Sequence, residues 1–203
     1  MSIVQTIRNR RSVYDFNPES LTNETVAAIL ECAVWAPNHK STEPWRFLVV
    51  NGNTKKKLAD VYRKIQVGKT KSDDPAVLEI ASRKGYEKLV SKPTIIGITC
   101  LKSDDAFRAR EDYASVSCAI HNITLAAWEQ GIGMQWSTSA LTTHPEATNI
   151  LKVDTAKEEI VGFLYAGYPA EVPDQTRIPA SKLPPGSNRC TSISYSIQFF
   201  IGS

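Results

Sequence analysis

No glycine-rich phosphate loop of the dinucleotide or nucleoside-triphosphate type occurs in this chain, and no strand-to-helix nucleophile elbow appears. The first absence removes the usual backbone cradle for a nucleotide, and the second removes a common hydrolase signature. Histidine is scarce: His39, His121 and His144 stand apart, and His121 falls inside an apolar helical run, where it reads as a core histidine rather than a ligand. The four cysteines, at 32, 100, 118 and 190, lack paired metal-ligand spacing. Three of them lie within apolar patterns, so buried free thiols in a reducing compartment are expected. No apolar run reaches the length of a membrane span, and Ser2 to Arg11 turns basic without an apolar stretch, so neither a membrane span nor a secretory leader is expected. The expected location is cytoplasmic. An excess of one charge is missing too: 24 basic residues against 21 acidic ones give +3, too mild and too evenly spread for a nucleic-acid surface.

What the chain does have is enough apolar content, 42% of 203 residues, for one domain with a sizeable core. Ser2, with Gln5 three residues on, predicts a capped first helix whose apolar side is Ile3, Val4 and Ile7. Thr22 predicts the next cap, with Leu21 and Val26 placed as a hydrophobic staple. Val26, Ile29, Leu30, Ala33 and Val34 then recur at helical spacing and are expected to face the core. Phe47 to Val50 reads as a buried strand, and Leu58, Val61, Tyr62 and Ile65 stripe a helix whose outer face is rich in lysine. Residues 66–92 are polar and read as a mobile excursion with some helical pattern. Ile95 to Leu101, with little alternation, predicts a strand buried on both faces. A long central helix is expected from about Glu111 to Gln130, ended by Gly131 and Gly133. Met134-Gln135-Trp136 then begins a short strand that delivers Ser137-Thr138-Ser139. His144-Pro145 opens another helix, and Ile160 to Ala166 is a further buried strand. The alternation from Ile193 to Phe199 resembles a half-buried strand that needs another surface to lie on.

Two polar clusters stand out. Ala36-Pro37 stops a helix, because the residue before proline is pushed out of the α region. Asn38 to Glu43 then place six polar side chains in a row before Pro44-Trp45, and a polar loop held between a helix and a core strand is where binding groups are commonly placed. Alone, it is equally a solvated connector. The second cluster, Arg8-Asn9-Arg10-Arg11-Ser12, brings three cations and a hydroxyl to the end of the first helix. Adjacent arginines point in different directions, so at most part of this charge converges on one ligand. The plainer reading is a basic helix end that suits the helix dipole. Taken together, the clusters suggest an anion with an organic body.

The combined landmarks resemble the nitroreductase family of flavin-mononucleotide (FMN) oxidoreductases. They are Arg10-Arg11-Ser12, Ala36-Pro37-Asn38-His39-Lys40-Ser41 with Pro44-Trp45, the helix ending Gln130-Gly131-Ile132-Gly133, and Ile160-Val161-Gly162-Phe163-Leu164-Tyr165. They span most of the chain in the family's order, and the match is to small single-domain members with a PxHKSxxPW loop. The resemblance implies an α+β fold over residues 1–203, with a central mixed sheet flanked by helices. It implies an intertwined homodimer whose two FMN sites are built from both chains, with residues 186–203 packing on the partner. Arg10, Arg11 and Ser12 would grip the phosphate and ribityl end. Trp35 and His39 would come from the partner chain, and Trp136, Ser137 and Thr138 would lie along the cofactor. Trp35 stands where similar members can carry arginine. Arg177, Lys182 and Arg189 are candidates for a late basic residue that completes the phosphate site.

The implied activity is ping-pong hydride transfer from NADH or NADPH through FMN to a nitroaromatic, quinone or similar acceptor. The chemistry then belongs to the flavin ring, and no catalytic side chain is assigned. Two alternatives remain open at this point: a non-catalytic flavin-binding or storage protein, and a narrow-substrate reductase or dehydrogenase of the same fold for which residues 66–92 form a lid.

Overall fold

Ser2 closes a capping box with Gln5 and starts helix α1 (Ile3–Asn9), while Thr22 caps helix α2 (Asn23–Glu31) through the Thr25 amide. The computed structural model describes residues 2–50 and 52–182. After α2 the chain tightens into a 3-10 turn, Ala33–Trp35, and the changed pitch rotates side chains off the helical stripe. Val34, expected in the core, is exposed as a result.

Strand β1 (Trp45–Val49) is followed by helices α3 (Gly52–Lys69) and α4 (Pro75–Val90). Asp74 accepts from the Ala76 amide and Pro75 occupies the first turn, so α4 has a well-formed start. The two helices touch at Gly85, where a Cβ would lie 2.9 Å from the Arg63 Cα. Residues 66–92, expected as a mobile excursion, are thus the end of α3 and a helix packed back on it. Polar composition concealed this, because only Gly85 and Leu89 of α4 are buried.

Strand β2 (Thr94–Leu101) leads to the central helix α5 (Ala106–Glu129), strand β3 (Gly133–Ser137), helix α6 (Pro145–Leu151) and strand β4 (Glu158–Gly167). α5 begins earlier than its apolar stripe indicates, since the Asp105 carboxylate caps the amides of Phe107 and Arg108. The sheet runs β1-β2-β4-β3 with every named pair antiparallel. A mixed sheet was expected; among the described residues the parallel contact is the isolated Ser12–Met134 bridge. β1 is an edge strand and only half-buried, which corrects its reading as a core strand.

Two cores lie on opposite faces of this sheet. Ile96, Ile98, Val161, Leu164 and Ala166 pack with Val116, Ala119, Ile120, Ile123 and Ala127 of α5. Ile95, Ile160, Phe163 and Tyr165 pack with α3, Leu89 and Ala147. In β4 the alternation changes phase between Val161 and Phe163, and the pairing explains why: Ile98 faces Gly162 but Thr99 faces Ile160, leaving Val161 as the extra residue of a bulge. One inserted residue exchanges the faces of everything beyond it. Cys100 is buried, but Cys32 is only half-buried and Cys118 is exposed, so the expectation of buried thiols holds for one of the three described cysteines.

These elements belong to one unit, Met1–Pro173; a second unit, Asp174–Ser203, is described only as far as Lys182 and ends in the 3-10 turn Ala180–Lys182. The strand expected at Ile193 to Phe199, the partner-packing tail 186–203 and Arg189 lie outside the described residues.

Candidate functional site

α1 ends at Arg10, whose amide donates to the Thr6 carbonyl, and the chain then runs alongside β3. Ser12 bridges to Met134, and the Val13 amide donates to the Met134 carbonyl at 3.1 Å. The approach is close because Gly133 has no side chain: a Cβ there would sit 2.5 Å from Val13 Cγ2. This crossing brings Arg10 and Ser12 to the same cavity as Trp136, a space of about 140 Å³ also lined by Ser117, Ile120, His121, Thr124 and Met134. A segment near the start of the chain meets the consecutive elements α5 and β3 here. Arg11 turns the other way, and its Nη1 donates to the carbonyls of Arg8 at 2.7 Å and Arg10 at 3.0 Å. The two arginines diverge where the chain leaves the helix in extended backbone, and Arg11 serves the end of α1.

Trp136 lies across β4 at Gly162, where a Cβ would fall 2.3 Å from the indole Nε1. Its neighbour Ser137 hydrogen-bonds Tyr165, whose phenol is pushed above its ordinary pKa by burial, with the Ser137 contact opposing that shift. Thr138 follows the strand and is exposed. The cavity therefore offers a cation, several hydroxyls and an indole over an apolar floor of Ile120 and Met134. That donor set suits an anionic group attached to a flat organic body.

Trp35 and His39 lie elsewhere. Trp35 is 80% exposed and rims a separate open depression of about 530 Å³ with Ile3, Thr6, Cys32, Asn122, Leu125, Ala126 and Glu129. His39 places Nδ1 2.8 Å from Glu111 Oε1, near the start of α5. Neither lines the Arg10 cavity. Of the later cations, Arg177 donates to Gln175 Oε1 and the Thr176 carbonyl, and Lys182 is exposed.

Sequence reasoning missed Ser117, Thr124 and the role of His121. His121 is not a core histidine: it is exposed and borders the cavity. The signal was present as a polar stripe at 117, 121 and 124, helical spacing that puts all three on one side of α5. Among the described residues no cluster of histidine, cysteine or carboxylate side chains could hold a metal ion. No helix among them is long and apolar enough to cross a membrane.

The profile of the nitroreductase family matches residues 7–168 of this chain. The chain belongs to the nitroreductase family. YfhC of Bacillus subtilis (strain 168), provisionally named an NAD(P)H nitroreductase, is 32% identical over 170 residues, covering 83% of this chain and 84% of its own. The crystal structure of a nitroreductase-like family protein from Bacillus cereus superposes with a TM-score of 0.76 at 27% identity, covering 92% of this chain and 97% of that one. A nitroreductase-like protein from Desulfovibrio desulfuricans, whose structure was solved with FMN, shares the fold with a TM-score of 0.68 at 23% identity over 92% of this chain and 96% of that one. The matched segment of this chain includes every candidate cofactor residue from Arg10 to Thr138.

Proposed function

We propose that this chain is an FMN-dependent NAD(P)H oxidoreductase, working as a homodimer that passes a hydride from reduced nicotinamide to a nitroaromatic, quinone or similar acceptor. The carrying observation is the cavity shared by Arg10, Ser12 and Trp136. Bound FMN would supply the hydride chemistry, alternately accepting from the nicotinamide and donating to the acceptor. Arg10 and Ser12 would hold its phosphate and ribityl end through charge-assisted hydrogen bonds. Trp136, Ser137 and Thr138 would border the rest, with the absence of a side chain at Gly162 leaving room for the Trp136 indole. Arg11 would add long-range charge, because its guanidinium is already engaged by the α1 carbonyls. No side chain is assigned an acid or base role.

The size of the cavity supports a site completed by a second chain. Ligand pockets commonly measure about 300–1,000 Å³, whereas this one is about 140 Å³. Trp35 and His39 fit the same reading. His39 meets α5 at Glu111, ten positions from His121 in the cavity wall, a separation of roughly 15 Å along one helix. A partner related by two-fold symmetry could bring both residues to the other chain's flavin. Ile3 and Trp35 are exposed on the rim of the open depression, and Val4, Ile7 and Val34, close to them in sequence, are exposed as well; exposed apolar side chains of this kind favour a surface for another protein.

The test is the visible spectrum of the purified protein, followed by oxidation of NADH or NADPH with a nitroaromatic and a quinone. Oxidised-flavin bands and acceptor-dependent turnover are expected. No flavin after incubation with FMN would overturn the assignment; bound flavin with no turnover would replace it with flavin storage.

A further inference from the structure

Asp112 lies in the first half of α5 and is only 5% exposed, yet no ion pair to it forms among the described residues. Its Oδ1 accepts from the Thr42 hydroxyl at 2.6 Å. A buried carboxylate matched by a neutral hydroxyl is a poor stabilising device, because desolvation is offset only in part. Such a group can instead specify one arrangement among several.

The arrangement is a directed chain of hydrogen bonds. The Thr42 hydroxyl directs its one proton at Asp112, which leaves the Thr42 oxygen to accept from Asn38 Nδ2 at 3.0 Å. The same Nδ2 reaches Ser115 Oγ at 3.3 Å. With its amide so oriented, Asn38 presents Oδ1 to the Glu43 amide at 2.8 Å. Both ends of the loop are thereby tied to α5. Between them Lys40, Ser41 and Glu43 adopt left-handed backbone, with φ of 61°, 50° and 45°. Non-glycine residues hold that conformation at a cost, and only where their surroundings over-determine it. The loop sets His39 against Glu111 on the face outside the Arg10 cavity.

We propose that Asp112 is a positioning residue: through Thr42 and Asn38 it holds the 38–43 loop in its strained form, so that His39 is presented to the flavin of the partner chain. This rests on the shared-site reading above. It gives the buried carboxylate a task that neither hydride transfer nor core packing requires.

The experiment measures FMN affinity of the folded dimers at 25 °C for wild type, Asp112→Ala, Asp112→Asn, His39→Ala and the double variant Asp112→Ala/His39→Ala. Asp112→Ala is expected to weaken FMN binding about tenfold, and Asp112→Asn, which retains an accepting oxygen, by no more than about threefold. In the His39→Ala background, Asp112→Ala should add almost nothing, because both changes act through one residue. Should Asp112→Ala not fold, Thr42→Val removes the same contact from the loop side and carries the same expectation. Wild-type affinity in Asp112→Ala, or effects that add in the double variant, would overturn the proposal. Wild-type affinity in His39→Ala would instead remove the shared-site assignment of His39, and absence of FMN from wild type would remove the flavin reading.

Discussion

The two halves of α5 face different surroundings. In its first half three side chains are engaged by the 38–43 loop: Glu111 meets His39, Asp112 meets Thr42, and Ser115 meets Asn38 while donating to the Glu111 carbonyl. From Ser117 to Glu129 the helix borders open space instead, first the cavity of about 140 Å³ and then the depression of about 530 Å³. The same helix, with the same buried stripe, meets a loop along its first half and two cavities along its second, although Phe107 and Tyr113 of the first half are also exposed. The contrast teaches that the unfinished half, with its exposed apolar rim, is where a cofactor and a second chain would belong.

If the second half is an interface, damage there should be larger than damage to the first half. The largest effect is expected from Trp35→Glu, which puts a charge on the rim of the depression. It should convert the dimer to monomer in sedimentation and release FMN at the same time, with the monomer still folded by circular dichroism. A variant that stays dimeric and retains FMN would place the interface elsewhere. Next comes Arg10→Ala, expected to cost about 1.5–3 kcal/mol of FMN binding, or tenfold and more, with nearly unchanged folding. Combining one Arg10→Ala chain with one His39→Ala chain sharpens it: titration should find one weak site carrying both lesions and one normal site. Two equal intermediate sites would assign both residues to the same chain's flavin. The smallest effect belongs to the first half. Ser115→Ala removes the hydroxyl's contacts with Asn38 and the Glu111 carbonyl and should lower stability by about 1 kcal/mol in urea denaturation, leaving the dimer intact.

Much of this was legible in the sequence, for reasons that differ between residues. The Ser2 and Thr22 caps were read correctly because a cap is a local, i to i+3 arrangement. Arg10 and Ser12 could be suspected as ligand donors, since cations and a hydroxyl at a helix end are a local feature as well. Their meeting with Trp136 could not be derived from spacing, because it depends on the chain crossing β3 at Gly133, a contact between segments more than a hundred residues apart. Asp112 left no trace, because its burial and its contact with Thr42 depend on segments seventy residues apart meeting at the start of α5. The exposure of Val34 was hidden because apolar periodicity continues through the 3-10 turn, whereas the backbone pitch does not.

The indole of Trp136 occupies the volume that any side chain at position 162 would need, with its Nε1 2.3 Å from where that Cβ would be. Relaxing this contact would require moving a ring on a paired edge strand rather than swinging the tip of a flexible chain. Positions 136 and 162 therefore form one heritable unit: a lineage that gains a methyl group at 162 must first give up the tryptophan or its present pose. Aligned relatives should show the pair drifting together, with bulk passing from one strand to the other as a conserved sum.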